Sequence, residues 1–378
     1  MRRVPALILA ATLGAGSVLA QQAPQFHGFA TEGFLYSGSN NYLGMDTSSG
    51  SGAWIEAAVS GNEQISDQVR VGAQVHFTRL GKFGDSIASV DWALVDWKLN
   101  QRLGLRAGKV KIRWGLYNDT QDADPGYLWS LLPESMYAVD VRATNLSQYG
   151  AELYGGQRLG DKLGEFAYSL YYGYYFYAPN DGYMEGFREQ GLSFTKRPGG
   201  ITPGFDLRWK TPVKGLMLGG SLMLYNASGN LVNGAFRQPL TYWPAYYAQY
   251  DIGKLSLVGQ YMRLVQYTDL AIAGEARSIA LSDSRAWFSM ASYRLTDKLQ
   301  IGAYHTRYLV TSSGQESDPA NHFYDSVVSG RYDVNSYFYL KLEGHYIDGN
   351  GLGFYGFDNP NGLKPHTNLL VAKVGFSF

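Results

Sequence analysis

The chain has 378 residues, with 32 basic and 32 acidic side chains and no cysteine. Without Arg2 and Arg3 the balance is about −2, which excludes the strongly basic surface a nucleic-acid partner needs, and no disulfide is available even in an oxidising compartment. There are 46 Gly, 30 Tyr and 18 Phe, yet the mean hydropathy is only −0.21, and beyond residue 20 no apolar run reaches the ~20 residues of a membrane helix.

The first residues read as a secretory signal. Arg2 and Arg3 make a positive start, an uncharged apolar stretch runs from Val4 through Ile8 to Leu13, and Val18 and Ala20 take the small-residue positions of a cleavage site before Gln21. The stretch is too short to span a bilayer, and Gly14 and Gly16 interrupt it. Residues 1–20 are therefore expected to be removed, and residues 21–378 to form one domain.

From there on, side chains alternate with a period of two. Val69, Val71, Ala73, Val75 and Phe77 interleave with Arg70, Gly72, Gln74, His76 and Thr78. Phe205, Leu207 and Trp209 alternate with Asp206, Arg208 and Lys210, and Phe338, Leu340 and Leu342 with Lys341, Glu343 and His345. A helix, returning every ~3.6 residues, cannot make such faces. The pattern predicts about sixteen strands near the length that crosses a membrane at a tilt. Their spans are 25–36, 53–61, 66–78, 87–99, 103–113, 147–157, 163–177, 203–211, 216–226, 240–250, 254–266, 281–295, 299–310, 322–333, 336–347 and 367–378. Short connections such as Asn100-Gln101-Arg102, Gly160-Asp161-Lys162 and Thr296-Asp297-Lys298 alternate with long ones at 37–52, 114–146, 178–202, 227–239, 267–280 and 348–366. The expected fold is all-β, a transmembrane antiparallel β-barrel with short periplasmic turns and long extracellular loops, placed in a bacterial outer membrane among its lipid and lipopolysaccharide.

Parity breaks near Asp91 and between Arg106 and Lys109, and asks for bulges there and at Gly108. Tyr171 to Tyr177 is aromatic on both faces, fitting an interface girdle, a subunit contact or an aromatic lumen wall; the other tyrosines are read mainly as interface anchors. The final segment sets Leu370, Ala372, Val374, Phe376 and Phe378 against Val371, Lys373, Gly375 and Ser377. It resembles the terminal strand by which the barrel assembly machinery recognises its clients.

The longest connection, about 114–146, is the third on the long side, and a loop of that length needs somewhere to pack. It carries Asp119, Asp122, Asp124, Glu134 and Asp140, and Pro125, Trp129, Leu131 and Leu132 suggest a short helix with an apolar side. The strand entering it is basic. Lys109, Lys111 and Arg113 share one parity, Arg106 precedes them and Arg142 closes the loop. Charges toward lipid would cost about 2–4 kcal/mol each at mid-bilayer, so the lumen is their expected side. A basic wall facing an acidic inserted loop would set a transverse field across the narrowest point and favour polar or ionic solutes. Further lumen candidates are Arg70, Gln74, His76, Arg208, Lys210, Lys341, Glu343 and Lys373.

Asn118, Asp119, Asp122 and Asp124 do not have the spacing of an EF-hand, so solvated acids are preferred over a calcium site, and neither metal nor cofactor is expected. Catalysis finds little support. His305 with Ser312 is the sort of weak pair available, and there is no HExxH, P-loop or nucleophile elbow.

Taken together, the chain resembles Gram-negative outer-membrane porins of about sixteen strands, and more narrowly porins related to the phosphate-selective porins O and P. The stretch carrying the likeness is Arg106-Ala107-Gly108-Lys109-Val110-Lys111, continuing to Trp114-Gly115-Leu116-Tyr117-Asn118-Asp119. The resemblance implies a homotrimer and passive diffusion of small solutes. A non-conducting barrel acting as adhesin or receptor is the alternative, and an outer-membrane hydrolase a more distant one.

Overall fold

The period-two alternation becomes an antiparallel ladder that closes on itself. The computed structural model describes residues 24–84 and 88–378; the expected signal, residues 1–20, lies outside the described residues. In chain order the strands are β1 (Gln25–Ser37), β2 (Ser51–Gln64), β3 (Val69–Leu80), β4 (Ser89–Lys98), β5 (Gly104–Lys111), β6 (Ser147–Arg158), β7 (Glu165–Phe176), β8 (Gly199–Ile201) and β9 (Gly204–Lys210). They continue with β10 (Leu216–Leu231), β11 (Gly234–Ile252), β12 (Leu255–Ile272), β13 (Ser278–Arg294), β14 (Leu299–Val310), β15 (His322–Asp333), β16 (Phe338–Asp348) and β17 (His366–Ser377). β1 pairs with both β2 and β17, so the sheet has no free edge, the condition for a sheet to cross hydrocarbon. β8 and β9 both lie between β7 and β10. They are one stave interrupted at Thr202-Pro203, where proline has no N–H for the ladder. The result is a closed antiparallel barrel of 16 strands.

Two expected loops turn out to be ladder. β10 and β11 stay paired up to Leu231 and Gly234, and β12 and β13 up to Leu270 and Ser278. The segments 227–239 and 267–280 are therefore tall hairpins with short tips. Above the hydrocarbon a strand keeps its hydrogen bonds but no longer needs an apolar outer face, so the alternation that marks a strand fades.

The bulge expected at Asp91 is present, as the β3–β4 register shifts between Gln74 and Val75. No shift occurs at Gly108: β4, β5 and β6 stay in register there. Gly108 instead has φ +132, and a Cβ on it would sit 2.3 Å from the Ala93 carbonyl oxygen.

Phe34, Val59, Val75, Leu170, Tyr172, Leu342 and Val374 point outward and are exposed, whereas Leu35, Glu56, His76, Ser169, Tyr171, Glu343 and Val371 point inward and are buried. The Tyr171–Tyr177 segment splits by parity, with Tyr172 and Tyr174 outside and Tyr171, Tyr175 and Tyr177 inside. The interior is uneven. Along β10–β15 it is apolar, with Met223, Tyr225, Phe236, Trp243, Met262, Phe288 and Tyr304. Along β2–β6 and β16–β17 it is charged, with Glu56, Asp91, Asp96, Glu152, Lys341 and Lys373.

The abundance of Tyr and Gly has a shared cause on the inner wall. Tyr154, Tyr171, Tyr247 and Tyr339 each lie across a glycine of the neighbouring strand (Gly104, Gly204, Gly219 and Gly375), so close that a Cβ there would fall 2.0–2.4 Å from the ring. Covering glycine with a cross-strand ring restores the packing it lacks. Gly375→Ala is expected to push Tyr339 off its seat and cost about 1–3 kcal/mol, read as a lower thermal midpoint; an unchanged midpoint would mean the ring relocates freely.

Candidate functional site

The connection between β5 and β6, residues 112–146, runs through the barrel interior. At its root the Trp114 indole N–H donates to the Trp243 carbonyl oxygen at 2.8 Å, the Gly115 amide to Ser221 Oγ at 2.7 Å and the Leu116 amide to Gln260 Oε1 at 2.9 Å. Gly115 is required, having φ +64 and no room for a Cβ beside the Tyr137 hydroxyl. Trp114 packs on Trp243 at 4.3 Å between centroids and Trp129 on Tyr304 at 5.0 Å. Further on, Glu343 accepts the Ser130 and Leu131 amides at 2.6 and 3.2 Å, and Ser135 bonds Thr306. The loop's apolar side thus rests on the apolar wall. A single helical turn at Asp124–Gly126 contains Pro125, whereas α1 (Glu134–Tyr137) and α2 (Arg142–Asn145) follow Trp129, Leu131 and Leu132 instead of containing them.

The loop's first three acids each meet cations. Asp119 faces Arg113 at 3.6 Å and Arg208 at 3.4 Å. Asp122 takes Lys111 and the Gln74 amide, each at 2.7 Å. Asp124 takes Lys373 at 2.7 Å, Lys341 at 3.0 Å and the Tyr339 hydroxyl at 2.7 Å. Below the loop the wall charges join into an alternating chain. Arg70 pairs with Asp96, Asp96 with Arg106, Arg106 with Glu152, and Glu152 with Arg113, all at 3.0–3.2 Å. Arg113 and Arg208 then share Asp119, and Arg208 bonds Asp206 at 2.8 Å. Lys210 pairs with Glu165 at the short-turn end.

Several placements differ from expectation. Lys109 stands opposite outward-facing Tyr149, and its ammonium reaches the Val90 carbonyl oxygen at 2.5 Å; without a bulge at Gly108 it keeps the outward parity, while Lys111 turns inward with the departing chain. Glu134 and Asp140 do not oppose the basic wall. Glu134 accepts the amide of Val139, and Asp140 accepts the hydroxyl of Tyr355. Arg142 is a loop cation on a wall acid, 2.5 Å from Asp91, with His76 beside them 3.9 Å from Asp91 and from Glu56. Signs therefore interlock across the interior instead of separating into a basic wall and an acidic loop. His305 lies on the outer face, bonded to Ser326 and not to Ser312.

Glu56, Asp91, Asp96, Glu152 and Asp206 are wall acids that the sequence argument did not single out. Asp206 shares the inward parity of Arg208; Glu56 is hidden in the sequence because its inward neighbours, Trp54 and Ala58, are apolar. Two cavities of about 40 Å³ flank the loop. One opens among His76, Asp91, Asn180 and Asp181, the other among Asp122, Asp124, Trp129 and Lys373, and both are bounded by Glu56, Val139 and Arg142.

Above them, Asp181 caps α3 (Gly182–Glu189), accepting from the Met184 amide at 3.1 Å and from the Thr144 hydroxyl. Burial raises its pKa to about 7. A carboxyl raised above its unfolded value stabilises below that unfolded value and loses the contribution as pH rises through about 7. Amide exchange at Met184, corrected for intrinsic rate, is expected to be slower at pH 5 than at pH 8. Asp181→Asn should remove that difference; a difference that persists would assign it to another group.

No protein-family model matches the sequence, and no curated protein is significantly similar to it. Solved structures do resemble it. OmpT, an outer membrane protein of Vibrio cholerae in its trimer form, superposes with TM-score 0.56 at 12% identity, covering 94% of this chain and 99% of that one. An anion-selective porin from Comamonas acidovorans gives 0.55 at 12%, over 94% and 99%. The outer membrane channel DcaP of Acinetobacter baumannii gives 0.56 at 9%, over 94% and 97%. The chain has the fold of these outer-membrane barrels.

Proposed function

We propose that this protein is an outer-membrane porin, secreted by way of a signal at residues 1–20, that lets small polar or ionic solutes diffuse through a passage narrowed by residues 112–146. The observation that carries the reading is the inserted loop, pinned by Asp119, Asp122 and Asp124 to four cations of the barrel wall, Lys111, Arg208, Lys341 and Lys373. Charged groups fixed at a narrow point order water and reject apolar solutes. The passage follows Glu56, His76, Asp91 and Arg142 between the two small cavities, which points to ions and very small solutes. Both signs line it, so the kinship with phosphate-selective porins suggested by Arg106–Lys111 and Trp114–Asp119 does not extend to a phosphate preference.

The trimeric form of one similar barrel supports a homotrimer here. A hydrolase would need a hydroxyl beside a buried histidine. His345 is held between Asp325 at 2.9 Å and Glu343 at 3.4 Å, with no nucleophile on the ring; buried His76 has the Thr78 hydroxyl at 2.9 Å and Asp91 at 3.9 Å, the contact from which the hydrolase alternative would start.

Swelling of proteoliposomes in solutes of graded size tests the proposal. Entry of small amino acids with exclusion of disaccharides is the expected result, and no swelling in any solute from a correctly folded protein would overturn it.

A further inference from the structure

One region of the outer face breaks the rule that lipid-facing residues are apolar. On β12, β13 and β14, Arg263, Arg285 and Arg307 all take the outward parity shared by Tyr261, Trp287 and Ile301. Arg263 stands directly opposite Arg285 in the ladder, and Trp287 directly opposite Arg307. Like charges placed across from each other destabilise a sheet unless an anion joins them. The protein supplies one. Asp283 takes Arg263 in a bidentate pair at 2.6 and 3.0 Å. Asp283 also acts on Arg285 through space, but among the described residues no carboxylate comes within 4 Å of Arg285 or Arg307, and both are exposed. Arg307 lies 4.1 Å above the Tyr324 ring. Higher on the same side, exposed Arg237 faces Asp269, which Arg277 already holds.

Height decides what such a patch meets. Arg307 is eight residues on from Leu299 at the short-turn end of β14, ~26 Å along the strand at ~3.3 Å per residue and about 20 Å vertically at barrel tilt. That is near the upper edge of a hydrocarbon band of about 25 Å, beside the aromatics Tyr242, Tyr261, Trp287 and Tyr346. Arginine binds phosphate oxygens with a planar fork of donors.

We infer that Arg285 and Arg307, backed by Arg263 and framed by Trp287 and Tyr324, form a docking site for the phosphate of a phosphorylated glycolipid in the outer leaflet. The inference rests on the outer-membrane placement, and not on conduction. A second copy of the chain is the poorer occupant, since two identical cationic patches repel.

The test titrates the purified full-length protein in detergent with bisphosphorylated lipid A and with the same lipid stripped of phosphate, counting bound lipid by native mass spectrometry. The expected result is at least tenfold tighter binding of the phosphorylated form. Arg285→Gln/Arg307→Gln should lose that preference while keeping a folded barrel and its oligomeric state, and Arg285→Gln alone should lose part of it. Equal binding of the two lipids by the unaltered protein, or an undiminished preference in the double variant, would overturn the site. A double variant that falls apart into single chains would overturn it too, assigning the patch to contact between copies. Failure of the unaltered protein to insert into phosphatidylcholine vesicles would defeat the membrane placement itself, and the site with it.

Discussion

Asp124→Ala is expected to lower the stability of the barrel by about 3–5 kcal/mol, the scale of removing one partner from a buried ion pair. Lys341 and Lys373 are 2% and 3% exposed, and Asp124 is the carboxylate they share. Lys373 keeps Glu56 at 2.9 Å, so Lys341 bears most of the loss. The substitution also removes the loop's tie to Lys373 of β17 and loosens the tie to β16, where Lys341 keeps the Asp124 and Trp129 carbonyl oxygens and Glu343 the Ser130 and Leu131 amides. Denaturant unfolding and single-channel recording should move together, with a lower midpoint and a larger, noisier conductance. A lower midpoint with unchanged current would mean that Asp124 braces the fold without setting the passage.

Arg142→Ala is the second large effect. The guanidinium sits 2.5 Å from Asp91, with Glu56 and His76 close by, and its removal leaves Asp91 buried without its cation at a cost of similar size, about 3–5 kcal/mol. It also removes a side chain that bounds both cavities. The acids left behind, Glu56 and Asp91, should draw cations, so the reversal potential in a salt gradient should shift toward cation selectivity. A shift toward anions would show that permeating ions pass elsewhere in the barrel.

Most of the barrel was legible in the sequence because its physics is local. A strand between lipid and water must alternate, and alternation survives in a single sequence. β14 and β15 come out with the spans expected of them, Leu299–Val310 and His322–Asp333. What was not legible is where alternation stops being enforced. The ladders of β10–β13 continue past the point where lipid demands an apolar face, so their upper ends read as loops. Pro203 split one stave, because a missing N–H interrupts the ladder without changing the path of the chain.

The interior was less legible than the wall. That the third long loop folds inward could be argued from its length and its apolar Trp129 and Leu131. Which charges meet could not, because pairing inside the barrel joins residues hundreds of positions apart. Asp124 with Lys373 is one such pair. Lys109 shows the sharper failure. Its side depended on a bulge at Gly108, and Gly108 absorbs its strain by a positive φ without changing register. The same parity rule, applied to Arg285 and Arg307, would have placed them on the lipid side from sequence alone.

The most direct test of the central claim is single-channel recording of the purified protein in a planar bilayer under a salt gradient. Stepwise openings of small conductance that grow in Asp124→Ala are the expected result. A folded, inserted barrel that stays silent in both forms would contradict it.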